Sequence, residues 1–122
     1  MYSMILKTEF AAAHRLVGYP GVCRHIHGHN WKVEIRVTGE SLNDAGMVMD
    51  MVELKKIVDE VIHPFDHTEI NIVPPFDTVN PTSENMAHYF FNELKRKLPL
   101  SMRVAEVTVQ ESDNFAVKYS EG

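Results

Sequence analysis

The chain reads as an α+β domain, an antiparallel sheet of four strands with two helices packed on one face, and three observations predict it. Two segments before residue 40 alternate apolar and polar residues with strand period, two between residues 50 and 98 space apolar residues as helices do, and two after residue 106 alternate again. Strands at both ends with helices between them give a two-layer arrangement. At 122 residues the whole chain, 1–122, is expected to be one domain that buries about two-thirds of its unfolded surface.

Residues 2–10 form the first expected strand, with Tyr2, Met4, Leu6 and Phe10 on one parity and Ser3, Lys7 and Glu9 on the other. Ile5 breaks the pattern, so both faces are expected to be partly covered. In the second, Trp31, Val33, Ile35 and Val37 alternate with Lys32, Glu34, Arg36 and Thr38, and the strand ends at Gly39. Asp50 and Glu53 make an acidic capping box ahead of Leu54, Ile57, Val58, Val61 and Ile62 at helical spacing. That helix should stop near His63-Pro64, because a residue before proline avoids the helical region. A second helix should begin after Pro81 with Thr82 or Ser83 as its cap, carry Ala87, Phe90, Phe91, Leu94 and Leu98 along one face, and end at Pro99. Val107 and Val109 alternate with Thr108 and Gln110 as a third strand, and Phe115, Val117 and Tyr119 suggest a fourth after the turn residues Ser112-Asp113-Asn114.

Apolar residues at 44% and charged residues at 24% describe an ordinary globular chain, and no apolar run approaches the roughly 20 residues of a membrane span. The first residues lack the marks of a signal peptide, so a cytoplasmic location is expected. The single cysteine, Cys23, has no partner for an internal disulfide. A net charge of −5 argues against a general nucleic-acid binder, whose affinity comes mainly from Lys and Arg on phosphates.

Four side chains able to bind a metal or move a proton, Cys23, His25, His27 and His29, fall within seven residues. One histidine alone is more often a satisfied polar residue than a ligand; this clustering reverses that. If the piece were extended throughout, all four would share one face, and a His-x-His pair can give two ligands to a tetrahedral zinc. A third would come from elsewhere. His14, at the end of the opening strand-like run, is well placed, although periodicity alone does not choose between it and His25. Three histidines without a fourth strong ligand is the pattern of a catalytic zinc with one open position.

Phe10-Ala11-Ala12-Ala13-His14-Arg15-Leu16, Cys23-x-x-x-His27-Gly28-His29, Asp66-His67, Pro81-Thr82-Ser83-Glu84-Asn85 and Gln110-Glu111-Ser112 together resemble, in order, the motifs of the 6-pyruvoyltetrahydropterin synthase family. The three-residue gap between the cysteine and His-Gly-His resembles the bacterial and archaeal 6-carboxytetrahydropterin synthase (QueD) branch. The resemblance implies a T-fold whose subunits join their sheets into a barrel, and a hexamer made of two trimers with active sites between subunits. It implies zinc on His14, His27 and His29, with His25 as a neighbour, and 7,8-dihydroneopterin triphosphate as substrate. Cys23 would act with Asp66 and His67, Cys23 as base and the acid-imidazole pair as proton relay from a neighbouring subunit. Glu111 would hold the aminopyrimidine edge of the pterin through two parallel hydrogen bonds, and Thr82 and Ser83 would border the same pocket. Arg15 and Arg24 are near the site in sequence, which does not fix the triphosphate ligands. The rivals are 6-pyruvoyltetrahydropterin synthase activity, a non-catalytic zinc-binding module and a metal hydrolase.

Overall fold

A computed structural model describes residues 1–18, 21 and 24–122. Cys23 therefore lies outside the described residues. The sheet has five strands, β1 (Tyr2–His14), β2 (His27–Gly39), β3 (Thr68–Glu69), β4 (Arg103–Gln110) and β5 (Ala116–Tyr119), in the order β3-β1-β2-β4-β5. Two helices, α1 (Met51–Ile62) and α2 (Ser83–Lys97), complete the α+β layer. The four expected strands are present, and the fifth is β3, which pairs in parallel with Ala12 and Ala13 of β1. Two residues are too short a stretch for alternation to reveal.

The pairing of β1 with β2 is continuous from Tyr2↔Gly39 to His14↔His27. β1 thus continues past Phe10, through Ala11-Ala12-Ala13 to His14; three successive alanines carry no polar-apolar signal, which is why the sequence pattern ends early. Phe10, Ala12 and His14 of β1 and Trp31, Val33, Ile35 and Val37 of β2 turn to the core, where the helices lie. The opposite face is open in the single chain, and Ile5 on it is 58% exposed. Lys7 meets Glu34 across the strands at 3.7 Å there. A bulge between Arg36 and Val37 shifts the β2–β4 register. At Gly39 a Cβ would come within 2.8 Å of Met102 Sδ and Val48 Cγ1, so any side chain there would have to displace both neighbours.

Asp50 caps α1 by accepting from Val52 N at 2.8 Å. The α-helix does stop at Ile62, but His63 keeps helical angles and the chain tightens into a 3₁₀ turn over His63–Phe65. Proline here ends the α-helix because it has no N–H to donate. On α2, Thr82 is the cap and accepts from Asn85 N at 3.1 Å, while Met86, Ala87, Phe90, Phe91 and Leu94 are buried. Leu98, before Pro99, is extended, as the proline rule predicts. Phe115 departs from its expected place in the last strand: it lies before β5 and is 76% exposed. No helix of the described residues is long and apolar enough to cross a membrane.

Candidate metal centre

Antiparallel pairing brings His14 opposite His27, at the end of the longest ladder in the sheet. His29 follows on the same face of β2, because side chains two apart on a strand share a face. The ring centroid of His14 is 4.6 Å from that of His27 and 5.2 Å from that of His29, and those of His27 and His29 are 4.9 Å apart. One donor atom from each of these three, together with a carboxylate oxygen of Glu111, all fall within 4.8 Å of one another. His25 stays out of this group. It is exposed and precedes β2, so the strand parity that would have aligned it with His27 does not reach it.

Hydrogen bonds set which nitrogen each ring offers. His14 Nδ1 donates to Pro81 O at 2.8 Å and His27 Nδ1 to His25 O at 2.7 Å; a carbonyl only accepts, so both rings carry the proton on Nδ1 and leave an Nε2 lone pair. Glu111 Oε1 is 3.3 Å from His14 Nε2 and 2.9 Å from His29 Nε2. Among the described residues both nitrogens are buried without a full hydrogen bond, the His29 contact with Glu111 coming nearer to one than that of His14. Buried polar atoms normally find partners, and each one left without costs about 1–3 kcal/mol. Burial also lowers the pKa of His14 and His29, outweighing the opposing pulls of the Pro81 carbonyl on His14 and the Glu111 carboxylate on both. Neutral imidazoles with free lone pairs, converging beside a carboxylate, fit a divalent metal of the zinc type.

Trp31 forms the floor of this group. It is fully buried, donates Nε1–H to Ala12 O at 3.2 Å, and sets its ring edge-on to His14 at 4.8 Å and His29 at 5.2 Å. Strand alternation alone assigns Trp31 only to the core; its parity with His27 and His29 is the signal that it belongs beneath them.

Asp66 and His67 form a separate pair at the β3 edge of the sheet. Asp66 Oδ1 accepts from Ala11 N at 3.0 Å, and His67 N donates to Ala11 O at 2.6 Å, so the dipeptide grips both backbone groups of one β1 residue. That backbone N–H, followed by the adjacent His67, holds the Asp66 carboxyl below the usual carboxylate range. Asp66 Oδ2 lies 3.0 Å from His67 Nδ1. His67 has φ +57°, a left-handed conformation that costs a non-glycine residue roughly 1–2 kcal/mol, and its ring is 81% exposed. Within the single chain, the structure does not bring this pair into the histidine group.

Thr82 is the cap of α2, and Ser83 Oγ donates to Glu111 Oε2 at 3.4 Å. The expected pterin-pocket residues are thus adjacent to one another, and Glu111 is also adjacent to the imidazoles.

Known proteins are similar to this chain in sequence and in fold. Residues 3–122 match the family described as 6-pyruvoyl tetrahydropterin synthase. An Archaeoglobus fulgidus protein carrying the provisional name 6-carboxy-5,6,7,8-tetrahydropterin synthase is 40% identical over 109 residues, covering 89% of this chain and 87% of its own. The human 6-pyruvoyl tetrahydrobiopterin synthase is 37% identical over 127 residues, covering 93% and 87%. The structure of the Caenorhabditis elegans 6-pyruvoyl tetrahydropterin synthase superposes with a TM-score of 0.88 at 31% identity, over 99% of this chain and 96% of that one.

Proposed function

Because the chain belongs to the 6-pyruvoyl tetrahydropterin synthase family, we propose that it is a zinc-dependent lyase acting on 7,8-dihydroneopterin triphosphate. In this reading it is a 6-carboxytetrahydropterin synthase that releases acetaldehyde and triphosphate, at an early step of 7-deazaguanine (queuosine) biosynthesis in the cytoplasm. The observation that carries it is the convergence of His14, His27 and His29, two of them with a buried, unpartnered Nε2, beside Glu111.

His14, His27 and His29 would hold the metal. Zinc bound there supplies a Lewis acid that polarises oxygens of the substrate side chain. Cys23 takes the carbon-bound proton next to those oxygens. Its sequence position, four residues before His27, supports this, and a positioned base contributes ~10²- to 10⁴-fold. The Asp66-His67 pair relays the proton: the carboxylate orients the imidazole through Nδ1, and the exposed ring faces outward, where a second subunit could present its own site. Glu111 accepts hydrogen bonds from the aminopyrimidine edge, with Ser83 holding Oε2 and Thr82 lining the approach.

The name of the Archaeoglobus relative and the three-residue Cys-to-His-Gly-His gap favour side-chain cleavage. The name of the human relative favours a second reading, triphosphate elimination to 6-pyruvoyltetrahydropterin without cleavage. Incubation with dihydroneopterin triphosphate, trapping of volatile aldehyde and mass spectrometry of the pterin separates them. Acetaldehyde with 6-carboxytetrahydropterin is the expected result; stoichiometric pyruvoyltetrahydropterin without aldehyde would assign the second reading.

A further inference from the structure

After His14 the chain leaves the sheet as Arg15-Leu16-Val17, and among the described residues no strand pairs with it there. Two asparagine side chains do instead what a strand would do. Asn71 Oδ1 accepts from Arg15 N at 2.9 Å while its Nδ2 donates to Arg15 O at 3.0 Å. Asn80 Oδ1 accepts from Val17 N at 2.8 Å while its Nδ2 donates to Val17 O at 2.8 Å. A carboxamide has one acceptor and one donor side, so each asparagine satisfies both backbone groups of one residue, and the backbone fixes which way the amide points.

The second clamp belongs to a strap, residues 80–83, that returns to the histidines. Asn80 O accepts from Thr82 N and from Asn85 Nδ2, both at 2.9 Å, which ties the strap to the first turn of α2. The next residue, Pro81, is buried and receives His14 Nδ1–H on its carbonyl at 2.8 Å. Two residues on, Ser83 Oγ donates to Glu111 Oε2. His14 is therefore held from three directions: by β2 pairing before it, by the asparagine clamps after it, and by the strap through its own ring.

We propose that Asn71 and Asn80 are positioning residues for the histidine centre, Asn71 holding the Arg15–Val17 segment against the 70–72 turn and Asn80 holding it against the strap, so that His14 Nε2 stays aimed at His27 and His29. The inference rests on the reading of those histidines as a metal site. Outer partners of a ligating histidine fix its ring, and losing one typically lowers metal affinity 10- to 100-fold. A bare stitching role would lower stability alone.

Cobalt(II) titration of the metal-free full chain separates the two, with affinity taken from chelator competition and geometry from the visible absorption band. Asn71→Ala and Asn80→Ala should each weaken cobalt binding at least tenfold and alter the band. Asn43→Ala is the control, because Asn43 Oδ1 accepts from Ala45 N and Met47 N, both at 3.0 Å, in a loop with no bond to the centre. It should lower the unfolding midpoint and leave affinity and band unchanged. If Asn80→Ala does not fold, Asn80→Asp keeps the acceptor for Val17 N, loses the donor to Val17 O, and is read the same way. Wild-type affinity and band in the folded Asn71 and Asn80 variants would overturn the inference while leaving the metal site intact. A wild-type chain that binds no cobalt would overturn the metal reading and the inference with it.

Discussion

Glu111 faces two claims at once, since Oε1 is 2.9 Å from His29 Nε2 and Oε2 is 3.4 Å from Ser83 Oγ. As a fourth metal ligand it would close the tetrahedron and reduce the charge the ion presents; as a pterin anchor it would leave a position open for substrate, as catalytic sites do. The second assignment makes a prediction. Glu111→Gln keeps the shape but turns an acceptor oxygen into a donor group, so pterin affinity should fall by about 1.5–3 kcal/mol, roughly 10- to 150-fold, with metal content unchanged. Metal analysis and calorimetry check it, and a variant that loses its metal would place Glu111 among the ligands. The His27/His29 pair was legible because strand parity is a local rule. The nearness of Glu111 to His29 was not, because it arises from β4 pairing with β2, where Lys32↔Gln110 is the pair next to the centre.

At the scale of elements, α2 shows how packing and capping share the work. Its buried apolar side chains, Met86, Ala87, Phe90, Phe91 and Leu94, stabilise it most, at roughly 1.5–3 kcal/mol for each large one fully buried. Phe90 meets Phe10 and Phe65 edge-on, with ring centroids 6.1 and 5.7 Å away. The Thr82 cap contributes less. Thr82→Ala should therefore cost about 1 kcal/mol in urea unfolding, with Thr82→Ser close to wild type. A serine variant as unstable as the alanine variant would show that the threonine methyl, not the cap, matters. Helix positions were legible because 3.6-residue spacing, caps and prolines all agreed. Less was legible at the end of β1, where Ala11-Ala12-Ala13 is silent, and at Phe115, whose apolar character suggested a strand position that the turn before β5 denies it. The two-residue β3 exists because Asp66 and His67 grip Ala11, a tertiary cause that no window of sequence displays.

Taken whole, the sheet is open. Among the described residues, β1 pairs with β2 along one side, but its other side meets only β3, at Ala12 and Ala13, leaving the Tyr2–Phe10 edge without a partner. A long unpaired edge is a template for another chain, and the exposed His67, beside a half-buried Asp66, stands at its end. We predict that the protein assembles through these edges into a hexamer in which each site is completed by a neighbour. A fully active monomer in sedimentation velocity would contradict both statements. The central claim, that folding brings three histidines together to hold one catalytic metal, is tested most directly by metal stoichiometry in proteins grown with zinc. The account predicts about one zinc per chain in the wild type and in His25→Ala, and essentially none in His27→Ala that remains folded by circular dichroism. Full zinc in His27→Ala, or its loss from His25→Ala, would contradict it.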